Sequence, residues 1–158
     1  PASHHECKNT RHRDAAATCT YRQTLYTILK NRKMSWDVVL FNSKQKINSV
    51  TELDETQLES TDFSGILEKS FDRIEEDENH REIIGTDFTI DFFADSEHSS
   101  NFMLSLYGEN GLYELIELAK KHNWQIYDTG IDAMIDLENP EKNGFKNHRK
   151  YVEQIMKK

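Results

Sequence analysis

The spacing of apolar residues after Met34 switches between a period of two and a period near 3.6, and the order of these switches constrains the fold. Segments with strand period and segments with helical period follow one another as β-α-β-β-α-β, and a third helical segment ends the chain. This order is typical of the ferredoxin-like arrangement, in which two helices cover one face of a four-stranded antiparallel sheet. We therefore predict a single acidic α+β domain over residues 34–158 with that sheet and a C-terminal helix.

The strand segments are recognised by alternating or two-sided apolar positions and by the turn residues between them. The sequence predicts strands over Ser35–Asn42, Asp87–Ala94, Asn101–Tyr107 and Trp124–Thr129, with an extension at Ala133–Leu137. The polar residues 95–100 predict a hairpin loop, so the second and third strands should pair antiparallel.

The helical segments have apolar stripes behind good N-cap residues. Thr61 is the expected N-cap of the first helix and Asn110 that of the second. A third helix is predicted over Phe145–Met156, and the acidic residues 75–87 are predicted to form an irregular connection. The predicted core positions of the first two helices are Phe63, Ile66, Leu67, Phe71 and Ile74, then Leu112, Leu115, Ile116 and Ala119.

Composition also changes at Met34. Residues 1–33 contain seven Lys/Arg and two acids, whereas residues 34–158 contain thirteen Lys/Arg and twenty-six acids. Three interpretations of this basic leader remain open: vector-encoded or upstream sequence before a native start at Met34, an Arg-rich transit segment, or a basic arm that docks on the acidic domain. Its possible zinc ligands match no standard ligand spacing, so an adventitious metal-attracting tail is the simpler interpretation; they are His4, His5, Cys7, His12 and Cys19.

The negative charge of the domain is concentrated in one part of the chain. Residues 52–97 contain sixteen acids and three basic residues. Such a surface repels nucleic acids and anionic membranes, because binding to either requires a positive patch. No stretch approaches the roughly 20 apolar residues of a membrane span, and both cysteines lie in the leader, so we expect a cytoplasmic protein.

Few motifs in the domain suggest catalysis or a cofactor. Asp128-Thr129-Gly130 follows an apolar strand as in aspartic proteases, but that chemistry needs a second Asp, and Asp-Gly turns are common for conformational reasons. Asp87, Asp91 and Asp95 share one face of a strand, where i and i+4 positions lie about 14 Å apart, too far for one metal ion. No Walker loop, G-x-S-x-G or G-x-G-x-x-G element is present.

Two short segments resemble known proteins. Tyr107-Gly108-Glu109-Asn110, which leads into an apolar-patterned helix, resembles the turn-to-helix segment of barstar, an intracellular inhibitor of a ribonuclease, over about ten residues. The opening M-S-W-D-V-V-L-F-N from Met34 is similar to that of small uncharacterised bacterial proteins, which implies no particular activity.

These observations predict a non-enzymatic binding protein for a basic protein partner, such as a toxin-neutralising immunity factor, with no cofactor and no metal. Its partner-binding residues are expected to be the densest acids and two tyrosines: Glu52, Asp54, Glu55, Glu75, Glu76, Asp77, Glu78, Tyr107 and Tyr113. One alternative is a small metal-dependent enzyme that uses Asp91, Asp95, Asp128 and a histidine. Another is a ligand-sensing module with a deep apolar pocket on the open face of a ferredoxin-like sheet.

Overall fold

The computed structural model describes residues 35–142. In this part of the chain, one seven-stranded sheet packs against two α-helices, which gives an α+β fold. The strands are β1 Trp36–Asn42, β2 Ile74–Asp77, β3 His80–Ile84, β4 Thr89–Phe93, β5 Asn101–Tyr107, β6 Trp124–Asp128 and β7 Ala133–Met134. The helices are α1 Phe63–Ser70 and α2 Glu109–His122, with short 3₁₀ turns at Val50–Glu52, Glu55–Gln57 and Pro140–Lys142. The predicted leader over residues 1–33 and the predicted helix Phe145–Met156 lie outside the described residues.

All neighbouring strands of the sheet are antiparallel, in the order β2-β3-β4-β5-β1-β6-β7. The first strand of the sequence lies inside the sheet, where Val38 is opposite Leu104 of β5 on one side and Asp128 of β6 on the other. The predicted α+β class is confirmed. The predicted four-stranded ferredoxin-like sheet is not confirmed, because the sheet has seven strands.

Both helices cover the same face of the sheet, and the hydrophobic core lies between them and the strands. Phe63 of α1 stacks on Phe102 at 5.6 Å and tilts against Trp124 at 4.7 Å between ring centroids. The core residues from α2 and the central strands include Leu112, Leu115, Ile116, Ala119, Trp36, Val38, Leu40, Ile90, Leu104, Leu106 and Ile126. Because neighbouring strand residues point to opposite faces, the alternate positions of these strands point away from the helices.

The acidic segment predicted as an irregular connection is a β-hairpin instead. Ile74 pairs with Ile83, and Ile83 pairs in turn with Ile90 of β4, where it is 1% exposed. Burial of Ile83 against the core stabilises pairing that the exposed acids of β2 would not favour by themselves. Since Ile74 belongs to β2, helix α1 ends earlier than its apolar spacing predicts, at Ser70.

The helix starts also differ from the predicted ones by one residue or two. Asp62, not Thr61, caps α1, and its Oδ1 accepts the Gly65 N–H at 2.8 Å. Helix α2 begins at Glu109 after Gly108, whose φ of 96° is readily adopted only by glycine. A Cβ on Gly108 would lie 2.5 Å from the Asp87 carbonyl oxygen, so the chain turns here against the backbone before β4.

Candidate functional site

The face of the sheet that points away from α1 and α2 carries an alignment of carboxylates across the strands. Cross-strand pairing places Glu75 beside Glu82, and Glu82 beside Asp91. Ser105 follows on β5, paired with Asp91 on one side and with Asp37 of β1 on the other. We call Glu75, Glu82, Asp91 and Asp37 the acidic row. Neighbouring strands are about 4.8 Å apart, so its first three members repel one another at short range.

A second line of residues lies two positions along the strands from the acidic row, on the same face. Phe93 of β4 and Met103 of β5 are 65% and 62% exposed. Val39 pairs with Met103 and with Tyr127, and both Val39 and Tyr127 are half-buried. We call Phe93, Met103, Val39 and Tyr127 the apolar row. Among residues 35–142, α1 and α2 both lie on the other side of the sheet, and we call the face that these two helices leave free the uncovered face. It has an acidic band next to an apolar band.

The surroundings of Asp91 in the acidic row disfavour the ionised form of its carboxyl group. Its Oδ1 is buried without a hydrogen-bond partner among residues 35–142, and its Oδ2 lies 3.7 Å from Nε2 of His80. Burial raises the pKa of the Asp91 carboxyl, the negative charge of Glu82 raises it further, and His80 opposes both effects. The described residues therefore compensate the charge of ionised Asp91 only in part.

The negative charges of Asp91 on β4 and Asp37 on β1 also act on Tyr107 of β5. Partial burial raises the pKa of the Tyr107 hydroxyl, and the charges of Asp91 and Asp37 raise it further. Ser105 donates a hydrogen bond of 2.7 Å to Oδ1 of Asp37, which fixes that carboxylate on the sheet. Tyr107, predicted as a partner-binding aromatic, thus lies beside the acidic row.

Few cations neutralise the acidic row among residues 35–142. Besides His80, the guanidinium of Arg73 approaches Glu75 at 3.9 Å, and both side chains are more than 60% exposed. Exposed pairs of this kind contribute little. Arg81 belongs to the helix-covered side, where it bonds to Glu68 at 2.9 Å and lies 3.7 Å from Glu76. Counted over the described residues alone, the uncovered face thus has a negative charge.

The predicted acids Glu75–Glu78 are all exposed, but the hairpin divides them between two faces. Glu75 belongs to the acidic row, and Asp77 lies on the same face because it pairs with His80, two residues from Glu82. Glu76 points to the other face, towards Arg81. Glu78 occupies the hairpin turn with a φ of 53°. Only part of this predicted cluster therefore faces the same way.

The predicted acids Glu52, Asp54 and Glu55 are exposed in the loop that follows β1. Asp54 caps a 3₁₀ turn, where its Oδ1 accepts hydrogen bonds from the side chain and the backbone N–H of Thr56; these bonds lower the pKa of Asp54. The bridge between Ser43 and Leu58 holds this loop at the end of β1. Three strands lie between β1 and β2, which puts β1 and β2 roughly 19 Å apart across the sheet. The structure therefore does not place these acids beside Glu75–Glu78.

The second predicted tyrosine lies on the opposite layer of the molecule. Tyr113 belongs to α2, on the side of the helix away from its buried residues Leu112 and Ile116, and is 37% exposed. It cannot contact one flat partner surface together with Tyr107, which lies on the uncovered face.

Sequence reasoning did not select several residues that the sheet brings together here. The predicted partner-binding residues do not include Asp37, Glu82, Phe93 and Met103, and Asp91 is predicted only as a ligand of the alternative metal site. Outward-facing Asp91 could be recognised from the alternation of β4. Its neighbours could not, because they depend on the register of strands distant in sequence.

The residues of the alternative metal-dependent site are dispersed. Asp91 lies on the uncovered face, whereas Asp128 is fully buried on the core side, where its Oδ1 accepts the Gly130 N–H at 2.8 Å. Asp95 caps a turn through the N–H of Glu97. Within residues 35–142, no group of three or more His, Cys, Asp or Glu side chains is arranged to hold a metal ion.

An open groove of about 830 Å³ lies elsewhere, between the loop after β1, the end of α2 and the segment after β7. Its lining mixes apolar residues such as Ile47, Trp124 and Ile135 with Lys46 and Lys120. The amide of Gln125 is already used internally, since it accepts the Ile47 N–H at 2.7 Å and donates to the Gln45 carbonyl at 2.9 Å. The groove therefore differs from the deep apolar pocket expected of a ligand-sensing sheet face.

Neither α1 nor α2, nor any other helix in the described part of the chain, is long and apolar enough to cross a membrane. No protein-family model matches the chain, and neither a curated protein nor a solved structure is significantly similar to it.

Proposed function

We propose that this chain is a cytoplasmic, non-enzymatic binding protein that captures a basic protein partner, in the manner of an immunity factor that neutralises a cationic toxin. The observation that carries the proposal is the acidic row, in which four carboxylates from β2, β3, β4 and β1 align on one uncovered face. It belongs to a chain with twenty-eight acids and twenty Lys/Arg.

The electrostatic surroundings of the acidic row favour a cationic partner. Like charges on neighbouring strands are unfavourable in the free protein, and a Lys or Arg side chain brought between them replaces repulsion by attraction. Long-range attraction also accelerates encounter, by roughly one to three orders of magnitude at low ionic strength. Nucleic acids and anionic membranes would be repelled by the same charges.

We also infer that the central part of the domain is a ferredoxin-like unit that has been extended at both edges. The strand order β6-β1-β5-β4, with α1 and α2 on one face, supports this inference. The β2–β3 hairpin would then be an addition at the β4 edge, and it contributes half of the acidic row.

The proposal is tested with the full chain and immobilised basic proteins of three classes: a nuclease toxin, a ribosomal protein and a nucleoid protein. We expect at least one to bind with an association rate that falls at least tenfold between 50 and 500 mM salt. Failure of all three classes to bind would refute the proposal.

The location of the charge is tested by reversing four acids at a time. Replacing residues 75–78 by Lys should slow association about tenfold more than replacing four exposed acids elsewhere, namely Glu97, Glu114, Glu138 and Glu141. Both variants change net charge by the same amount, so the comparison separates position from total charge. Equal rates for the two variants would exclude the hairpin as part of the binding surface.

A further inference from the structure

We propose that the partner docks on the uncovered sheet face, with Lys or Arg side chains along the acidic row and an apolar side chain against Phe93 and Met103. This inference rests on the proposed function and specifies its contact surface. It assigns a role to Asp37, Glu82, Asp91, Phe93 and Met103, and it assigns none to the loop acids Glu52, Asp54 and Glu55.

The apolar row supplies the first argument. Three large hydrophobic side chains are exposed among residues 35–142, and two of them, Phe93 and Met103, lie on this face. They belong to neighbouring strands, and Val39 and Tyr127 continue the band across β1 and β6. An apolar band next to a charged one is the arrangement expected of a contact surface, because apolar burial strengthens binding and charges select the partner.

Charge complementarity supplies the second argument and identifies the occupant. Glu75, Glu82 and Asp91 lie on three successive strands, and in the described part of the chain Oδ1 of Asp91 has no hydrogen-bond partner. The spacing of about 4.8 Å lets one guanidinium lie between two neighbouring carboxylates. Arg fits this position better than Lys because its planar group donates in two directions.

The same charges argue against a second copy of this chain as the occupant. Two copies that met through this face would each bring four carboxylates into the contact, and the nearest described basic side chains are His80 and Arg73. Charges buried without partners oppose association. A partner with positive charge supplies cations for these carboxylates, and its apolar side chain can pack against the apolar row.

Two synthetic peptides serve as probes for the full chain. One contains four Arg and two Leu; the other has the same Arg content with Ser in place of Leu. We expect Glu82→Gln/Asp91→Asn to weaken binding of both peptides at least tenfold. The control Glu52→Gln/Glu55→Gln, which removes the same charge from the loop after β1, should weaken it less than twofold. Phe93→Thr/Met103→Thr should weaken binding of the Leu peptide at least fivefold and leave the Arg/Ser peptide within twofold.

Amide chemical shifts map the contact independently of the variants. Perturbations confined to β3, β4, β5 and β1 would support the proposal. Perturbations confined to the hairpin turn or to residues 50–57, or equal losses in the Gln control, would overturn it while leaving cationic capture intact. Absence of binding by both peptides and by the three basic proteins would overturn the surface and the proposed function together. Concentration-dependent self-association that perturbs the same face would identify a second copy as the occupant and overturn the proposal.

Discussion

Replacing Gly108 by Ala tests how rigidly the fold joins β5 to α2, next to the uncovered face. The native φ of 96° and ψ of 146° suit glycine alone, and an added Cβ would lie 2.5 Å from the Asp87 carbonyl oxygen and 3.1 Å from the Phe88 Cα. Both near atoms belong to the backbone, so relief requires a shift of the chain before β4. A strained φ of this kind costs about 1–3 kcal/mol before the steric contact is counted.

We therefore expect Gly108→Ala to lower the free energy of unfolding by about 3 kcal/mol. For a domain of this size that corresponds to a fall in Tm of roughly 10–15 °C. Urea titration and thermal melting followed by circular dichroism measure both quantities on the full chain. The slope of the urea titration should not change, because the same surface is exposed on unfolding.

Gly130→Ala provides the matched control. Gly130 has no positive φ, and its added Cβ would meet only Oδ1 of Asp128, at 3.3 Å. Loss of chain entropy in the unfolded state partly offsets that contact, so we expect a change within about 1 kcal/mol. Strain at Gly108 would be refuted if Gly108→Ala lowered the free energy of unfolding no more than Gly130→Ala does. A change in Tm below about 2 °C for Gly108→Ala would refute it as well.

Two further predictions concern the site and the core. Because burial and Glu82 raise the pKa of Asp91, the folded state holds that proton more tightly than the unfolded state, and stability falls as pH rises from the unfolded pKa through the folded one. Asp91→Asn removes this loss, so urea titrations should show the variant to be more stable than wild type at pH 7. The difference in stability should shrink towards pH 3. A difference that does not depend on pH would contradict the assigned cause. Phe63→Ala should cost about 3–5 kcal/mol, since the ring is 2% exposed and contacts Phe102 and Trp124, whereas Phe93→Thr, at a position 65% exposed, should change the free energy of unfolding by less than about 0.5 kcal/mol.

The strands and helices with clear apolar periodicity were predictable because the spacing of their own apolar residues indicates which positions are buried. β4 and β5 alternate strictly, and α2 has a complete stripe from Leu112 to Ala119, so their local sequence and their tertiary environment agree. The β2–β3 hairpin was missed because Glu75, Glu76 and Asp77 give β2 no apolar alternation. Its pairing depends on Ile83, whose partner Ile90 belongs to the next strand.

The candidate site was only partly predictable for the same reason. The excess of acids in residues 52–97 is visible in the sequence. The alignment of Asp37 with Asp91 is not, because it depends on two strand pairings, that of Asp37 with Ser105 and that of Ser105 with Asp91. Sequence proximity suggested grouping Glu75–Glu78 with Glu52, Asp54 and Glu55. The fold instead groups carboxylates from strands up to 54 residues apart, since position within a sheet depends on pairing and not on nearness along the chain.

The interior position of β1 has a consequence for how the protein forms during synthesis. This strand leaves the ribosome before both of its neighbours, which are encoded at residues 101–107 and 124–128. Its seven residues, three of them less than 4% exposed in the finished sheet, must therefore wait in the nascent chain until most of the domain has been translated. Such reliance on distant pairing slows folding and leaves Trp36, Val38 and Leu40 accessible to chaperones during that interval.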